Sequence, residues 1–118
     1  MVLSWGPPHA PYESAPEKYR AQYRPEDIQL RANVPPEKGA DAAEWIAGYY
    51  AHCTALDDCI ADLLQTLEDQ GIDDNTMVLF FSDHGDIHGS QGSDKKTKAV
   101  GRIDPGAFFI ALPGPVGH

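Results

Sequence analysis

One segment limits the possible folds more than any other, because residues 41–71 carry apolar side chains at steps of four and three. This apolar stripe consists of Trp45, Tyr49, Cys53, Leu56, Ile60, Leu63 and Leu67. Such spacing puts them on one face of an α-helix. Asp41 and Glu44 have capping-box spacing at its start, and Gly71 is a typical stop. The sequence therefore predicts a helix of about 30 residues, or ~45 Å, whose apolar face lies on a sheet or core.

An apolar run without alternation, Thr76 to Phe81, follows this helix. Runs of this kind are typical of strands that are covered on both faces in a parallel sheet. Residues 1–5 are also apolar and β-prone, and Ala107 to Leu112 is a candidate for a further strand. A helix followed by a buried strand is half of an α/β unit. The predicted fold class is therefore α/β, with a mainly parallel sheet and a long amphipathic helix.

The front of the chain predicts little regular structure. Ser14 and Glu17 have capping-box spacing, so residues 16–23 are expected to form a short helix that ends before Pro25. Residues 24–40 contain three prolines and no sustained period, which is typical of an extended surface connection. With 118 residues, the chain is expected to form one domain over residues 1–118.

The charge of the chain restricts its partners. The sequence has 18 Asp and Glu residues against 9 Lys and Arg residues, for a formal net charge of -9. A surface of this sign repels phosphate backbones, so nucleic acid is not an expected partner. An acidic excess also suits a protein that holds a divalent cation, although it more often serves solubility.

Neither a disulfide nor a membrane anchor is expected. Cys53 and Cys59 lie six positions apart on the predicted helix and point away from each other, so both are expected to be buried free thiols. The start, MVLSWGPPH, lacks the pattern of a signal peptide, and no stretch reaches the roughly 18 apolar residues that span a bilayer. The chain as given is therefore expected to be soluble and cytoplasmic, with the compartment of a longer parent left open.

The stretch FFSDHGDIHG, residues 80–89, carries the clearest chemistry in the sequence. Asp83 and His84 would emerge at the carboxyl end of the predicted strand, which is where open parallel sheets bind ligands. Asp83 offers an anionic oxygen and His84 an imidazole nitrogen, and Gly85 permits a sharp turn. Two ligands do not complete a shell of about six. From these residues alone, a metal site and a polar strand-end turn both stay open.

Four further residues are candidates for holding an anion. Lys95, Lys96 and Lys98 form a cationic run just beyond the proposed metal loop, and such a run is either a solvated face or a site for sulfate or phosphate. His9 follows the rigid GPP turn, where it is either a loop histidine or a contributor to the same crevice.

Four more polar residues are given structural interpretations. Asp86 and His88 are second-rank ligand candidates, and His88 is expected to be a solvated loop residue. Asp57 and Asp58 interrupt the apolar helix and are expected to form its polar flank.

Three segments together resemble the sulfatase family of the alkaline phosphatase superfamily. They are LSWGPPHAPY, GYYAHCTALDDCIADLLQTLEDQGIDDNTMVLFFSDHGD and HGSQGSDKK. The combination is specific, because a PPHxPY loop, a YxAxxxxLDxxI helix, a DNT turn, an SDHGD strand end and a downstream lysine occur in the family's order. The likeness extends to about Lys98 and implies a partial alkaline-phosphatase-like α/β sandwich, the central to C-terminal portion of a catalytic domain.

The resemblance also implies an activity and the residues that carry it. It implies hydrolysis of sulfate esters in an intact parent, with a divalent metal, usually calcium, as cofactor. The family's metal-binding Asp and His match Asp83 and His84. The loop histidine that contacts the sulfate or the leaving oxygen matches His9, and the sulfate-binding lysine matches Lys96 by its spacing. The implied substrate is a small sulfate ester or a sulfated glycan.

Two features of the family pattern are not found in these 118 residues. One is the CxPSR-type motif whose Cys or Ser becomes formylglycine, the hydrated nucleophile, and the other is a pair of metal-binding aspartates expected well before this region. Cys53 lies in a helical context and is not assigned the role of nucleophile. After Lys98 the sequence AVGRIDPGAFFIALPG also departs from the family pattern. The chain is therefore predicted to be a catalytic-domain fragment without turnover of its own.

Three alternatives stay open beside this hypothesis. The chain is otherwise a noncatalytic module that keeps an incomplete metal or oxyanion site, a truncated product with no function of its own, or part of a phosphoester hydrolase of the same superfamily. A homodimer through the exposed apolar face of the helix or sheet is a further expectation, because a missing partner surface can be replaced by a second copy.

Overall fold

The computed structural model describes residues 1–93 and the backbone of residues 110–112. The lysine run of residues 95–98 and the first half of the run from Ala107 lie outside the described residues. The chain divides into two compact units. The first unit contains Met1–Asp58 and Ile87–Val100, and the second contains Cys59–Asp86 and Gly101–His118. The expectation of one domain stays a prediction.

Two α-helices and two strands form the regular structure of the described residues: α1 (Glu17–Arg20), α2 (Gly39–Asp69), β1 (Val78–Phe80) and β2 (Ile110–Leu112). Single 3₁₀ turns lie between them at Tyr12–Ser14, Pro25–Asp27, Pro36–Lys38, Asp73–Asn75 and Ser90–Gly92. Within residues 1–93, no helix is both long enough and apolar enough to span a membrane.

The long helix is confirmed, and so is its stop. Gly71 has a φ of +62°, in the left-handed region that glycine adopts without steric cost. Its N–H donates to the carbonyl of Glu68, and the N–H of Ile72 donates to that of Leu67. These two bonds are a Schellman motif. The predicted capping residue is wrong, because Asp41 lies inside the first turn of α2 and not before it.

The apolar stripe is not the face that α2 buries. The buried residues lie in its first half and are mostly small: Ala42, Ala43, Ile46, Ala47, Ala51 and His52. Trp45 and Tyr49 of the stripe are half-buried, whereas Cys53 and Leu63 are exposed. The buried face of α2 carries small side chains because the N-terminal segment approaches the helix backbone closely. A Cβ on Gly48 would lie 2.7 Å from both the Cβ and the carbonyl oxygen of Tyr12.

Helix α1 confirms the predicted short helix, although it spans only part of residues 16–23. The predicted capping box is wrong, because Pro16 occupies the N-cap and the Ser14 hydroxyl donates to the Pro11 carbonyl at 2.7 Å. Packing against α2 holds α1 in place. The Tyr19 hydroxyl donates to Asp58 Oδ2 at 2.7 Å, and Ala15, Tyr19 and Ala51 form a small buried cluster.

The second unit contains an antiparallel pair of strands. Val78 lies opposite Leu112, and Phe80 lies opposite Ile110. A strand is therefore confirmed within each of the two later apolar runs. The expectation that β1 is covered on both faces is wrong for the described residues, since Leu79 is 61% exposed and Phe81, just after the strand, is 62% exposed. The mainly parallel sheet and the homodimer both stay predictions.

Two smaller expectations are corrected. Residues 1–5 form no strand, and Met1 and Val2 are almost fully exposed. Cys53 and Cys59 are free thiols as expected, but their side chains are exposed and not buried. Helix packing around the Cys53 sulfur still removes enough water to raise the pKa of that thiol.

Candidate functional site

Asp83 and His84 lie in the turn that follows β1 and Phe81. The Asp83 carboxylate accepts the backbone N–H of His84 on Oδ1 at 2.8 Å, and its Oδ2 lies 3.4 Å from His84 Nε2. His84 Nδ1 donates to the Gly85 carbonyl at 2.9 Å. The Ser82 hydroxyl donates to the carbonyl of His84 at 2.8 Å. These local bonds fix the turn. Asp83 Oδ2 and His84 Nε2 take part in none of these hydrogen bonds to the backbone.

The geometry of this pair fits two neighbouring positions around a divalent cation. Two ligand atoms that each lie about 2.4 Å from a calcium ion, at a right angle, are about 3.4 Å apart. The carbonyl of Gly85 can only accept, so Nδ1 carries a proton and Nε2 is the ring nitrogen that a cation would bind. A histidine ligand commonly has its other N–H bound to a carbonyl in this way. Among the described residues no three His, Cys, Asp or Glu side chains cluster, so these two would form an incomplete set.

His9 is exposed and belongs to the first unit. Its backbone N–H donates to the Gly6 carbonyl at 3.1 Å, which closes the turn through Pro7 and Pro8. Its Nδ1 donates to the carbonyl of Ala10 at 2.7 Å. The ring is therefore held by its own loop with Nε2 left for another contact. Asp83 and His84 belong to the second unit, so the grouping of all three residues into one site stays a prediction.

The remaining candidate positions have mixed outcomes. Lys96 lies outside the described residues, so its sulfate-binding role stays a prediction. Asp57 and Asp58 are exposed on α2, which confirms the predicted polar flank. The hydrogen bond from Tyr19, together with the nearby Lys18 ammonium, holds the pKa of Asp58 below its usual value. Asp86 is half-buried.

The prediction of a solvated His88 is wrong, because this side chain is only 6% exposed. Its ring packs edge-on against Tyr49, with ring centroids 4.7 Å apart, and lies 5.4 Å from the ring of Tyr12. The sequence around His88 is polar and glycine-rich, and it contains no apolar period that would have predicted burial.

His52 is a second buried histidine that the sequence interpretation did not single out. It is 3% exposed, and its Nε2 lies 3.4 Å from both the Pro11 carbonyl and the Ser14 hydroxyl. A signal for it did exist in the sequence. His52 lies next to Ala51 and four positions after Gly48, on the small-residue face that α2 buries.

Comparison with known proteins identifies the family. The sulfatase family model matches residues 1–106. An ulvan-active sulfatase from Formosa agariphila is 45% identical over 118 residues, which cover 96% of this chain and 22% of that protein. An endo-4-O-sulfatase from Bacteroides thetaiotaomicron is 29% identical, over 98% of this chain and 24% of that protein. A choline-sulfatase from Rhizobium meliloti is 41% identical over 44 residues, 37% of this chain and 9% of its own length.

The chain spans about a quarter or less of the length of these relatives. The match of the family model nevertheless runs from the PPHAPY loop through α2 to beyond the SDHGD turn. Membership implies the alkaline-phosphatase-like α/β fold, within which α2 and β1 are consecutive elements. This chain belongs to the sulfatase family.

Proposed function

We propose that this chain is part of a sulfuric ester hydrolase that uses a divalent cation, with Asp83 and His84 as two of the cation ligands. The observation that supports this most is the 3.4 Å separation of Asp83 Oδ2 and His84 Nε2, with the other ring nitrogen bound to the Gly85 carbonyl. Calcium is the proposed ion, because the resemblance to the sulfatase family implies it and the exposed carboxylate of Asp83 suits a hard cation. When bound, the cation supplies electrostatic stabilisation of negative oxygens.

His9 and Lys96 are proposed to contact the sulfate ester. The Ala10 carbonyl holds the Nδ1 proton of His9, so its Nε2 is the nitrogen that meets the sulfate or the leaving oxygen. The ammonium of Lys96 would offset the negative charge of the sulfate group. Positive and hydrogen-bonding groups of this kind accelerate a reaction only to the extent that they bind the transition state more tightly than the substrate.

The substrate class is proposed from the relatives. Two relatives align over nearly the whole chain, an ulvan-active sulfatase and an endo-4-O-sulfatase, and their names favour a sulfated glycan over a small sulfate ester. A choline-sulfatase aligns over a shorter part of the chain.

The nucleophile is proposed to come from a longer parent protein that contains this chain, as a formylglycine. Cys53 is not assigned this role, because it lies within α2 and lacks the CxPSR-type context. Loss of a nucleophile that acts in concert with its neighbours costs many orders of magnitude in rate. The 118-residue chain alone is therefore expected to release no sulfate from an aryl sulfate above the uncatalysed rate.

Turnover of paired substrates by such a parent tests the proposed reaction. The parent should hydrolyse an aryl sulfate faster than the matching aryl phosphate, and a preference for the phosphate would assign it to the rival phosphoester hydrolases. Sulfate release is measured by conductivity-detected ion chromatography, and phenol release by absorbance.

Calorimetric titration of the 118-residue chain with calcium separates a retained cation site from a remnant. Binding that His84→Ala removes and Asp74→Ala preserves supports a retained pair of ligands. Asp74 is a fair control, since it is an exposed carboxylate in the turn before β1. Heat that is the same in all three proteins would contradict the assignment of His84.

A further inference from the structure

Two half-buried tyrosines, Tyr12 and Tyr49, and the buried His88 form a small aromatic cluster in the first unit, called here the His88 cluster. The ring centroid of His88 lies 4.7 Å from that of Tyr49 and 5.4 Å from that of Tyr12, and the two tyrosine rings are 6.3 Å apart. All three rings therefore contact one another in edge-on or tilted arrangements. The cluster joins three parts of the chain: the segment after His9, helix α2, and the loop of residues 87–93.

The backbone around Tyr12 also lies close against α2. Gly48 leaves no room for a side chain, since its Cβ would lie 2.7 Å from the Tyr12 carbonyl oxygen. His52 Nε2 lies 3.4 Å from the Pro11 carbonyl and from the Ser14 hydroxyl. The segment from Pro11 to Ser14 is thus fastened at its backbone by α2 and at its one large ring by the His88 cluster.

The loop that carries His88 is built as a fixed support. His88 and Gln91 have φ values of +45° and +56°, a region that costs energy for residues other than glycine and persists only where the surroundings impose it. Arg31 Nη1 donates to the Ser90 hydroxyl at 3.2 Å, and the Gln91 N–H donates to the Asn33 carbonyl at 2.8 Å. Gly89 packs so closely on α2 that its Cβ would lie 2.9 Å from the Cβ of Ala42.

Between the cluster and His9 there is little freedom of rotation. Only two residues separate His9 from Tyr12, and one of them is Pro11, whose φ is fixed by its ring. His9 is further tied to Ala10 through its side chain and to Gly6 through its backbone. A displacement of Tyr12 would therefore carry the His9 imidazole with it.

We infer that His88 is a positioning residue that acts through Tyr12 to fix the place at which His9 meets the sulfate ester. This inference rests on the proposed function, in which His9 contacts the ester. Small misplacements of a positioned group lower the rate of the chemical step far more than they weaken substrate binding. The ring of His88 supplies packing in this role and does not touch the substrate.

Three substitutions of His88 separate packing from other effects. His88→Asn tolerates the positive φ and keeps a polar side chain but removes the ring. His88→Phe keeps a ring of similar shape. His88→Ala removes both the ring and the polar group. In a longer parent with sulfatase activity, His88→Asn and His88→Ala should lower kcat at least about tenfold with KM within about twofold. His88→Phe should stay within about threefold of wild type in kcat. An unchanged kcat in His88→Asn, or an equal loss in His88→Phe, would overturn the inference.

A second readout in the 118-residue chain does not depend on catalysis. The N–H of Ser14 donates to the Pro11 carbonyl, so its hydrogen exchange reports on the segment that His88 is inferred to hold. Exchange at Ser14 should become at least about tenfold faster in His88→Asn. Tyr19 of α1, whose N–H donates to the Pro16 carbonyl, should keep its rate. Equal acceleration at both amides would mean that the substitution destabilises the whole unit, and it would contradict a specific effect of His88 on the segment from Pro11 to Ser14. Wild-type turnover in His9→Ala, with the Ser14 result still as expected, would overturn the role of His9. The contact by which His88 holds the Tyr12 segment would then still stand.

Discussion

The two units of this chain bury their apolar residues to different extents. In the first unit, the segment from Pro11 to Tyr23 and the loop of residues 87–93 cover the alanine-rich face of α2. In the second unit, Leu79 and Phe81 remain more than half exposed, and Met77 is 72% exposed. The difference means that the first unit derives stability from contacts within these residues. The apolar side chains of β1 contribute little to the stability of this chain.

Close approach, and not side-chain size, distinguishes the better-packed unit. Gly48, Gly89 and the alanines of α2 let two other backbone segments reach the helix, and each contact excludes a larger side chain. The second half of α2 has no buried residue although it carries Leu56, Ile60 and Leu67. Large apolar residues therefore do not by themselves identify the stable part of a sulfatase-family segment.

The largest expected effect comes from truncating one buried and one exposed apolar residue. Ile46→Ala should lower the free energy of unfolding by about 3 kcal/mol, because it removes a buried side chain and leaves a cavity. Leu79→Ala should change it by no more than about 0.5 kcal/mol, because Leu79 is largely exposed. Urea unfolding of the two variants measures both values. A comparable loss in the two would remove the contrast between the units.

A glycine substitution in the loop of residues 87–93 should rank second. Gly89→Ala combines a positive φ with a 2.9 Å contact to Ala42, and it should cost about 2–3 kcal/mol. Gly71→Ala is the matched control, since Gly71 has a positive φ but no atom within 4 Å of the added Cβ. The control should cost about 1 kcal/mol in the same unfolding assay. Equal losses would show that the contact with α2 adds nothing.

The contact between Gly48 and Tyr12 should give a smaller net loss. Alanine favours a helix interior by about 1 kcal/mol over glycine, but here its Cβ would overlap the Tyr12 backbone. Overpacking of this kind costs about 1–3 kcal/mol, so Gly48→Ala should lower stability by about 1 kcal/mol net. Gly6→Ala, with nothing within 4 Å, should leave the melting temperature unchanged. A higher melting temperature for Gly48→Ala would contradict the close approach.

The smallest expected effect concerns pH. The Tyr19 hydrogen bond, with Lys18, lowers the pKa of the Asp58 carboxyl below its usual value. A depressed carboxylate pKa contributes stability that is present above the pKa of the unfolded chain and is lost as the pH falls through that of the folded chain. The stability difference between wild type and Tyr19→Phe should therefore be larger at pH 6 than at pH 2.5, as urea unfolding at both values can measure. A difference that grows on acidification would reverse the assignment.

The sequence predicted the local features better than the tertiary ones. Helix α2 and its stop at Gly71 follow from periodicity and from a single conformational preference, both of which are local. The pairing of Asp83 with His84 also follows from adjacency in a strand-end turn. Which face of α2 is buried could not be predicted, because it depends on two segments that are distant in sequence from the helix residues they contact. The contacts of Tyr12 with Gly48 and of Gly89 with Ala42 show this.

The burial of His88 could not be predicted from the sequence for a related physical reason. Its place against Tyr12 and Tyr49 depends on a loop with positive φ values at His88 and Gln91, and neither residue type requires such a conformation. His52, by contrast, lies on the small-residue face of α2, so the alanine spacing in the sequence indicates its burial.

The most direct measurement of the central hypothesis is sulfate release by a longer parent protein that carries a substitution at Asp83. Asp83→Ala should lower turnover of an aryl sulfate by at least about a hundredfold, since it removes a proposed cation ligand, and a calcium chelator should do the same to the wild type. Asp74→Ala, which removes another exposed carboxylate of the same unit, should stay within about twofold of wild type. Wild-type turnover in Asp83→Ala, or turnover of the wild type that the chelator leaves unchanged, would contradict a cation-dependent sulfatase that uses Asp83.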